Sequence, residues 1–323
     1  MITFRRAVRE NVPLIIGLAG ASGSGKTLSA MRLADGMAGG KPFVVLDTEA
    51  GRAKHYAADF TFDHADLRAP FSPMMYEEAI LAADKAGYPV IIVDSLSHEH
   101  AGYGGLLDWH ESELDRMAGE DWQKREACNM RAWIKPKMAH KRMVDSLFQV
   151  RAHLILCFRA EQKIEMARDE KGKMQIRPKQ IASGFSDWIP ISEKNLLFEL
   201  TTSFLLTPDQ PGIPKPIKLQ KQMREFVPLD QTLGEDVGSK LAAWAHGGVE
   251  HETPKPPVQS LEPSPSSTDD DPTTPYRLAL RPLVTDKQIN EWYRNVPEEL
   301  RQEVYGAYTD ALKSARSKPG RGA

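Results

Sequence analysis

Short, continuous apolar runs alternate with longer stretches of mixed polarity through most of the chain. Leu14–Ala19 (LIIGLA), Phe43–Leu46 (FVVL), Val90–Val93 (VIIV) and Leu154–Phe158 (LILCF) are rich in branched residues and lack the polar alternation of a half-exposed strand. Such runs predict strands covered on both faces. Between them, apolar positions at helical spacing predict helices over Leu28–Met37, Met75–Ala86 and Lys137–Arg151. Strand–helix alternation predicts an α/β fold with a mostly parallel, doubly wound sheet. Phe198–Leu206 (FELTTSFLL) alternates apolar and polar residues and predicts an antiparallel strand at the far side of that sheet.

The pattern ends near residue 249. Residues 249–275 (VEHETPKPPVQSLEPSPSSTDDDPTTP) are Pro, Ser, Thr and acid with little to bury, so they predict a disordered linker. Beyond it, residues 276–323 predict a small helical module. Thr285-Asp286 caps one helix running through Tyr293. Pro297-Glu298-Glu299 starts a second, reaching about Arg316, on which Leu300, Val304, Tyr308 and Leu312 form one apolar stripe. The last residues, Lys313 to Ala323, form a basic tail. The expected division is therefore 1–248, 249–275 and 276–323.

Charge narrows the function. Lys plus Arg total 42 against 44 Asp plus Glu, a net −2, which excludes bulk electrostatic attraction to nucleic acid and leaves only local patches. No window reaches the roughly 18 apolar residues a membrane span requires. The opening MITFRRAVRE lacks the apolar core of a secretory signal. Cys128 and Cys157 are the only cysteines and have no metal-ligand spacing, so a reducing cytoplasm fits best.

The chemistry concentrates after the first strand. Residues 20–27, GASGSGKT, match the phosphate-loop pattern between a predicted strand and a predicted helix. Gly20, Gly23 and Gly25 let the backbone turn, so that N–H groups of Ala21, Ser22, Ser24 and the residues through Leu28 face one concavity at a helix N-terminus. Lys26 would reach the β- and γ-phosphates, and the Thr27 hydroxyl would ligate Mg²⁺. Asp94, ending VIIVDS, is placed to share that magnesium, with Ser95 and His98 following it toward the γ-phosphate. The run VVLDTEAGRA ends a strand in Asp47-Thr48-Glu49. An acid there suits the orientation of an attacking water, but an ordinary acidic loop start has the same composition.

Taken together, GASGSGKT, VVLDTEA, VIIVDSLSHEH and HLILCFRAE resemble the RecA-like ATPase core. DSLSHEHAGYGGLLDW, WIKPKMAHKRMVDSL and LILCFRAEQKIEM are similar to bacteriophage-encoded members associated with single-strand annealing and recombination. The resemblance covers about residues 12–230. It implies ATP and Mg²⁺ as cofactors, Glu49 as the catalytic glutamate and Asp94 as the magnesium acid. It also implies Arg159 as the polar sensor, where recombinases usually carry glutamine. A ring or filament of like subunits and single-stranded DNA as partner follow from the same resemblance, with other phage recombination or replication proteins as further partners. So does a basic finger from a neighbouring subunit, for which Lys218, Lys221 and Arg224 in PKPIKLQKQMREF are candidates. The alternative there is a solvated edge strand guarded by lysine.

Single-stranded DNA would need a local cationic surface. Residues 163–179 (KIEMARDEKGKMQIRPK) predict a hairpin in which Ile164 and Met166 face Met174 and Ile176, with Arg168, Lys171 and Lys173 around its turn, either to track a phosphate backbone or simply as a solvated hairpin. Trp109, Trp122 and Trp133 could stack on bases or pack inside the fold. His98, His100 and His110 could suggest a metal, but no cysteine and no pattern of residues to orient such ligands supports one. Two rival functions remain at this stage: a nucleotide-gated switch or loader for a protein partner, and a P-loop small-molecule kinase.

Overall fold

The computed structural model describes residues 12–162, 164–168, 174–178, 188–247 and 286–317. The chain divides into two compact units, Met1–His251 and Glu252–Ala323. The expected linker 249–275 lies outside the described residues.

The first unit is a mixed α/β fold around one mostly parallel sheet. Its strands are β1 (Ile15–Gly20), β2 (Phe43–Asp47), β3 (Phe62–Asp66), β4 (Val90–Asp94), β5 (His153–Gln162), β8 (Trp188–Pro190), β9 (Thr202–Thr207) and β10 (Gln210–Lys218). The order across the sheet is β10-β9-β1-β5-β4-β2-β3, with β8 pairing antiparallel to the end of β5. β1, β2 and β4 are buried along their whole length, as their apolar runs require, and β9 is buried throughout despite its hydroxyl residues. Strands β6 (Ile164–Arg168) and β7 (Met174–Pro178) form a separate antiparallel hairpin, with Met166 opposite Ile176.

Helices cover both faces. α1 (Lys26–Ala38) and α8 (Glu235–His246) pack together on one side, over Ile16, Leu18, Val45, Ile92 and Cys157. α2 (Pro73–Ala86) and α6 (Ile134–Leu147) lie on the other, over Ile15, Val44, Ile91 and Leu154. α2 starts where Pro73 follows Ser72, whose hydroxyl accepts from the Met75 N–H at 3.3 Å. Between β4 and α6 run α3 (Ser97–Ala101), α4 (Leu106–Ala118) and α5 (Trp122–Ala132); α7 (Leu196–Glu199) is one turn. α8 comes against α1 because neither helix has a side chain at the crossing. A β-carbon on Gly36 would run into the Glu235 carbonyl, and one on Gly238 into the Leu33 carbonyl.

One expectation is corrected. The far-side strand begins at Thr202 rather than Phe198 and runs parallel to β1, not antiparallel. Its alternation is misleading because Thr202 and Ser203 are fully buried, with their hydroxyls donating to the carbonyls of Lys218 and Leu197 at 2.7 and 2.9 Å. The antiparallel neighbour is β10, which absorbs the first half of the lysine-rich segment. β3 carries no strong pattern, since FDHAD is half exposed, and α8, which buries Val237, Gly238, Leu241, Ala242 and Ala245, was not expected.

The second unit contains α9 (Asp286–Asn295) and α10 (Arg301–Ser317). Tyr293 stacks on Tyr308 with ring centroids 4.1 Å apart, and the Tyr308 hydroxyl donates to Asn290 Oδ1 at 2.6 Å. Ile289, Val296 and Val304 are fully buried between the helices.

Candidate nucleotide site

The strand order itself assembles the site. β5 lies between β1 and β4, and β2 follows β4, so the C-terminal ends of these parallel strands share one edge. In register, Gly20 sits opposite Arg159, Asp94 opposite Cys157, and Asp47 opposite Asp94.

Between β1 and α1 the chain turns through Gly23 (φ 78°) and Gly25 (φ 82°), in the left-handed region that favours glycine. The turn is braced from β10: Gly212 N donates to the Ser24 carbonyl at 2.9 Å, and a β-carbon on Gly25 would come within 3.0 Å of Gly212 N. The Ala21 carbonyl accepts from the Ser24 hydroxyl and from Lys26 Nζ, both at 2.8 Å. Burial lowers the Lys26 pKa from its ordinary value, opposed by nearby anionic groups that include Asp94 and Glu49.

Thr27 Oγ1 donates to Asp94 Oδ2 at 2.6 Å. Asp94 is almost wholly buried. Desolvation pushes its carboxyl pKa up, while the Thr27 hydroxyl and the Lys26 charge pull it back. Asp47, the other acid at this edge, is consumed locally. It accepts from Glu49 N at 2.6 Å and Ala53 N at 3.1 Å, with His64 Nε2 at 3.2 Å, and so folds the loop that carries Glu49. Glu49 is gripped by Arg159, Nε to Oε1 at 2.8 Å and Nη2 to Oε2 at 3.1 Å, and touched by Arg52 Nη1 at 3.2 Å.

A parallel α/β sheet with a glycine turn into a helix, a lysine in that turn and a threonine–aspartate pair beside it is a P-loop core. Residues 13–187 match the AAA domain family, more than half of the 323 residues. The chain belongs to that family. No curated protein matches it. Family membership makes this a P-loop ATPase domain, built to bind and hydrolyse nucleotide. The residues of this site fit a bound nucleotide with magnesium. Gly23 and Gly25 turn the chain into the start of α1, Lys26 lies on that turn, and a hydroxyl and a buried carboxylate stand together as oxygen donors suited to magnesium.

The fold thus brings Lys26, Thr27, Asp94, Glu49 and Arg159 to one edge, with Gly20, Ala21, Ser22, Gly23, Ser24, Gly25 and Leu28 forming the turn and first helical residues. Ser95 and His98 are engaged inward. Ser95 Oγ accepts from Ser97 N at 3.2 Å, and His98 meets Thr48 Oγ1 at 2.8 Å and stacks on Phe71. Thr48 also bonds both N and O of Ser95, tying the Glu49 loop to the Asp94 strand.

The finger candidates separate. Lys218 Nζ donates to the carbonyls of Phe198 and Leu200 at 2.7 and 2.6 Å and so is engaged within its own chain, while Lys221 and Arg224 are exposed on the loop after β10. Among the DNA candidates, Arg168 ends β6 opposite Met174; Lys171 and Lys173 lie outside the described residues. Trp133 stacks on His110 at 4.2 Å, Trp109 is half-buried and Trp122 is exposed. Among the described residues no His, Cys, Asp or Glu group forms a metal cluster, and no helix is long and apolar enough to cross a membrane.

Sequence reasoning did not single out Thr48, Arg52 or Gly212. Arg52 had a readable signal, since it stands three residues after Glu49. The other two act across the sheet and left none.

Proposed function

We propose that the AAA domain is a magnesium-dependent ATPase of the RecA-like kind, working as a ring or filament on single-stranded DNA in phage recombination, annealing or replication. The observation that carries the hydrolytic part is the 2.6 Å Thr27–Asp94 bond set beside Lys26 and Glu49. Thr27 and Asp94 would hold magnesium, whose charge would offset that of the phosphate oxygens. Lys26 would leave the Ala21 carbonyl for the β- and γ-phosphates. Glu49 would orient a water and take its proton as the water oxygen bonds to the γ-phosphorus and the bond to the β–γ bridging oxygen breaks. Lys221 and Arg224 remain the finger candidates for a neighbouring subunit. The DNA part rests on resemblance and on the cationic hairpin β6–β7.

The test is phosphate release by the full chain with and without magnesium and single-stranded DNA. Lys26→Ala should lose at least about 10²-fold in turnover, the scale of a removed transition-state charge contact. Single-stranded DNA should raise the wild-type rate. Reversing Arg168, Lys171 and Lys173 to Glu should weaken DNA binding and flatten its log–log salt slope by about 0.7 per lost phosphate contact. Unchanged turnover in Lys26→Ala would overturn the site. Absence of DNA binding with intact hydrolysis would leave an ATPase serving a protein partner.

A further inference from the structure

α3 is five residues long, yet three of them in a row reach to other elements. Ser97 Oγ accepts from Arg159 N at 2.8 Å and donates to the Ile191 carbonyl at 2.7 Å. Glu99 Oε1 meets His140 Nδ1 of α6 at 2.9 Å, and both residues are buried. Between these two anchors His98 stacks on Phe71 with ring centroids 4.9 Å apart. A β-carbon on Gly102, just after α3, would run into both the His98 carbonyl and the Phe71 ring, so the chain closes tightly around the stack. The His98 ring is held by an anchored helix and by an aromatic wall.

That ring in turn holds Thr48. Thr48 Oγ1 has three neighbours: Ser95 N at 2.8 Å, the Ser95 carbonyl at 3.0 Å and His98 Nδ1 at 2.8 Å. A hydroxyl has one hydrogen and two lone pairs. The Ser95 N–H takes one lone pair. If the hydroxyl donates to the Ser95 carbonyl, the second lone pair accepts a proton from His98 Nδ1, and all three contacts are hydrogen bonds. If it donated to Nδ1 instead, two oxygens would face each other at 3.0 Å with no hydrogen between them. Burial lowers the His98 pKa from its ordinary value, so the ring is neutral at pH 7 with one N–H, and the count assigns that hydrogen to Nδ1. Thr48 N also donates to the Asp94 carbonyl at 2.8 Å, and the next residue is Glu49, whose own N–H is on Asp47. The peptide that carries Glu49 is thus fixed at one end by Thr48 and at the other by Asp47. We infer that His98 is a positioning residue for hydrolysis, which donates from Nδ1 to Thr48 and so sets the neighbouring Glu49 against Asp94. This rests on the ATPase reading above and names what keeps the geometry of that site. A small displacement of a water-orienting group lowers turnover while leaving the phosphate contacts in place.

The test is steady-state ATP hydrolysis by the full chain, with the affinity for a non-hydrolysable triphosphate analogue measured beside it. Two substitutions at His98 separate the donor from the ring. In His98→Asn the amide nitrogen takes the place of Nδ1, whereas in His98→Gln it lies one carbon farther out. His98→Gln should lower kcat by about tenfold, with analogue affinity kept within about twofold, and His98→Asn should keep most of the wild-type kcat. Thr48→Val, which removes the hydroxyl at nearly constant shape, should reproduce the loss, and Thr48→Ser should restore it. In the Thr48→Val background His98→Gln should cost nothing more, because the two act through one bond. Equal loss in His98→Asn and His98→Gln would assign the effect to the Phe71 stack and overturn the inference. Independent, multiplying losses from Thr48→Val and His98→Gln would overturn it as well, as would a loss of analogue affinity as large as the loss of kcat. Retained analogue binding in each variant also shows that the site still folds. A wild type without turnover would overturn the ATPase reading and this inference together, whereas wild-type turnover with any of the adverse variant results would overturn this inference alone.

Discussion

His153 begins β5 at the end of the sheet away from the nucleotide site. Its Nδ1 accepts from Leu14 N at 3.0 Å, and its ring lies edge-on to His246 at 5.9 Å. Burial, aided by the charge of His246, lowers its pKa to about 4. An unfolded histidine titrates near about 6.5, so between those values the unfolded chain binds more protons. Stability from this group is complete above about pH 6.5 and is lost as pH falls toward about 4, by at most about 3 kcal/mol. The buried His140–Glu99 pair works with the opposite sign. Its hydrogen bond and charge raise the His140 pKa against the cost of burial, so its contribution fades as pH rises through the folded value. His153→Asn, which keeps an acceptor for Leu14 N, should therefore flatten the loss of urea stability between pH 7 and pH 4.5. An unchanged pH slope would assign the acid sensitivity elsewhere. At this scale the sequence was most legible where chemistry sits on consecutive residues, as in GASGSGKT. It was least legible for Asp47 and Glu49. The two are neighbours in one acidic loop, and only hydrogen bonds show that Asp47 builds the loop while Glu49 is offered by it.

Elements meet where side chains permit. Gly36 lies inside α1, where alanine would ordinarily gain about 1 kcal/mol of helix propensity. Here the new β-carbon would overlap the Glu235 carbonyl, which belongs to backbone and cannot rotate away. Overpacking of this kind costs about 1–3 kcal/mol. Gly36→Ala should thus destabilise the domain by up to about 2 kcal/mol net in urea unfolding, and a gain in stability would show that α8 can slide outward freely. Branched apolar runs made β1, β2, β4 and β5 readable. β9 was misread because two buried hydroxyl residues imitate a polar face. α8 was not expected although it carries an amphipathic pattern, with Val237, Leu241, Ala242 and Ala245 on its buried face.

At the scale of the whole molecule, the described helices of the second unit bury their own core of Ile289, Val296 and Val304. Removing residues 249–323 should accordingly leave a first unit with an unchanged cooperative thermal transition and unchanged nucleotide affinity. A shift of Tm by more than a few degrees on truncation would show that the C-terminal residues complete the ATPase core. By itself the sequence determined the fold class, the phosphate turn and the place where globular patterning stops, because each depends on residues adjacent in the chain: branched runs, glycine spacing, the loss of apolar residues. The tertiary structure alone decided the strand order, and with it that Arg159, more than a hundred residues from Glu49, closes on that carboxylate. It also decided that Gly212 braces the phosphate turn and that Lys218 caps carbonyls of its own chain. Those pairings arise where a parallel sheet brings distant strand ends to one edge, and no local pattern encodes which ends become neighbours.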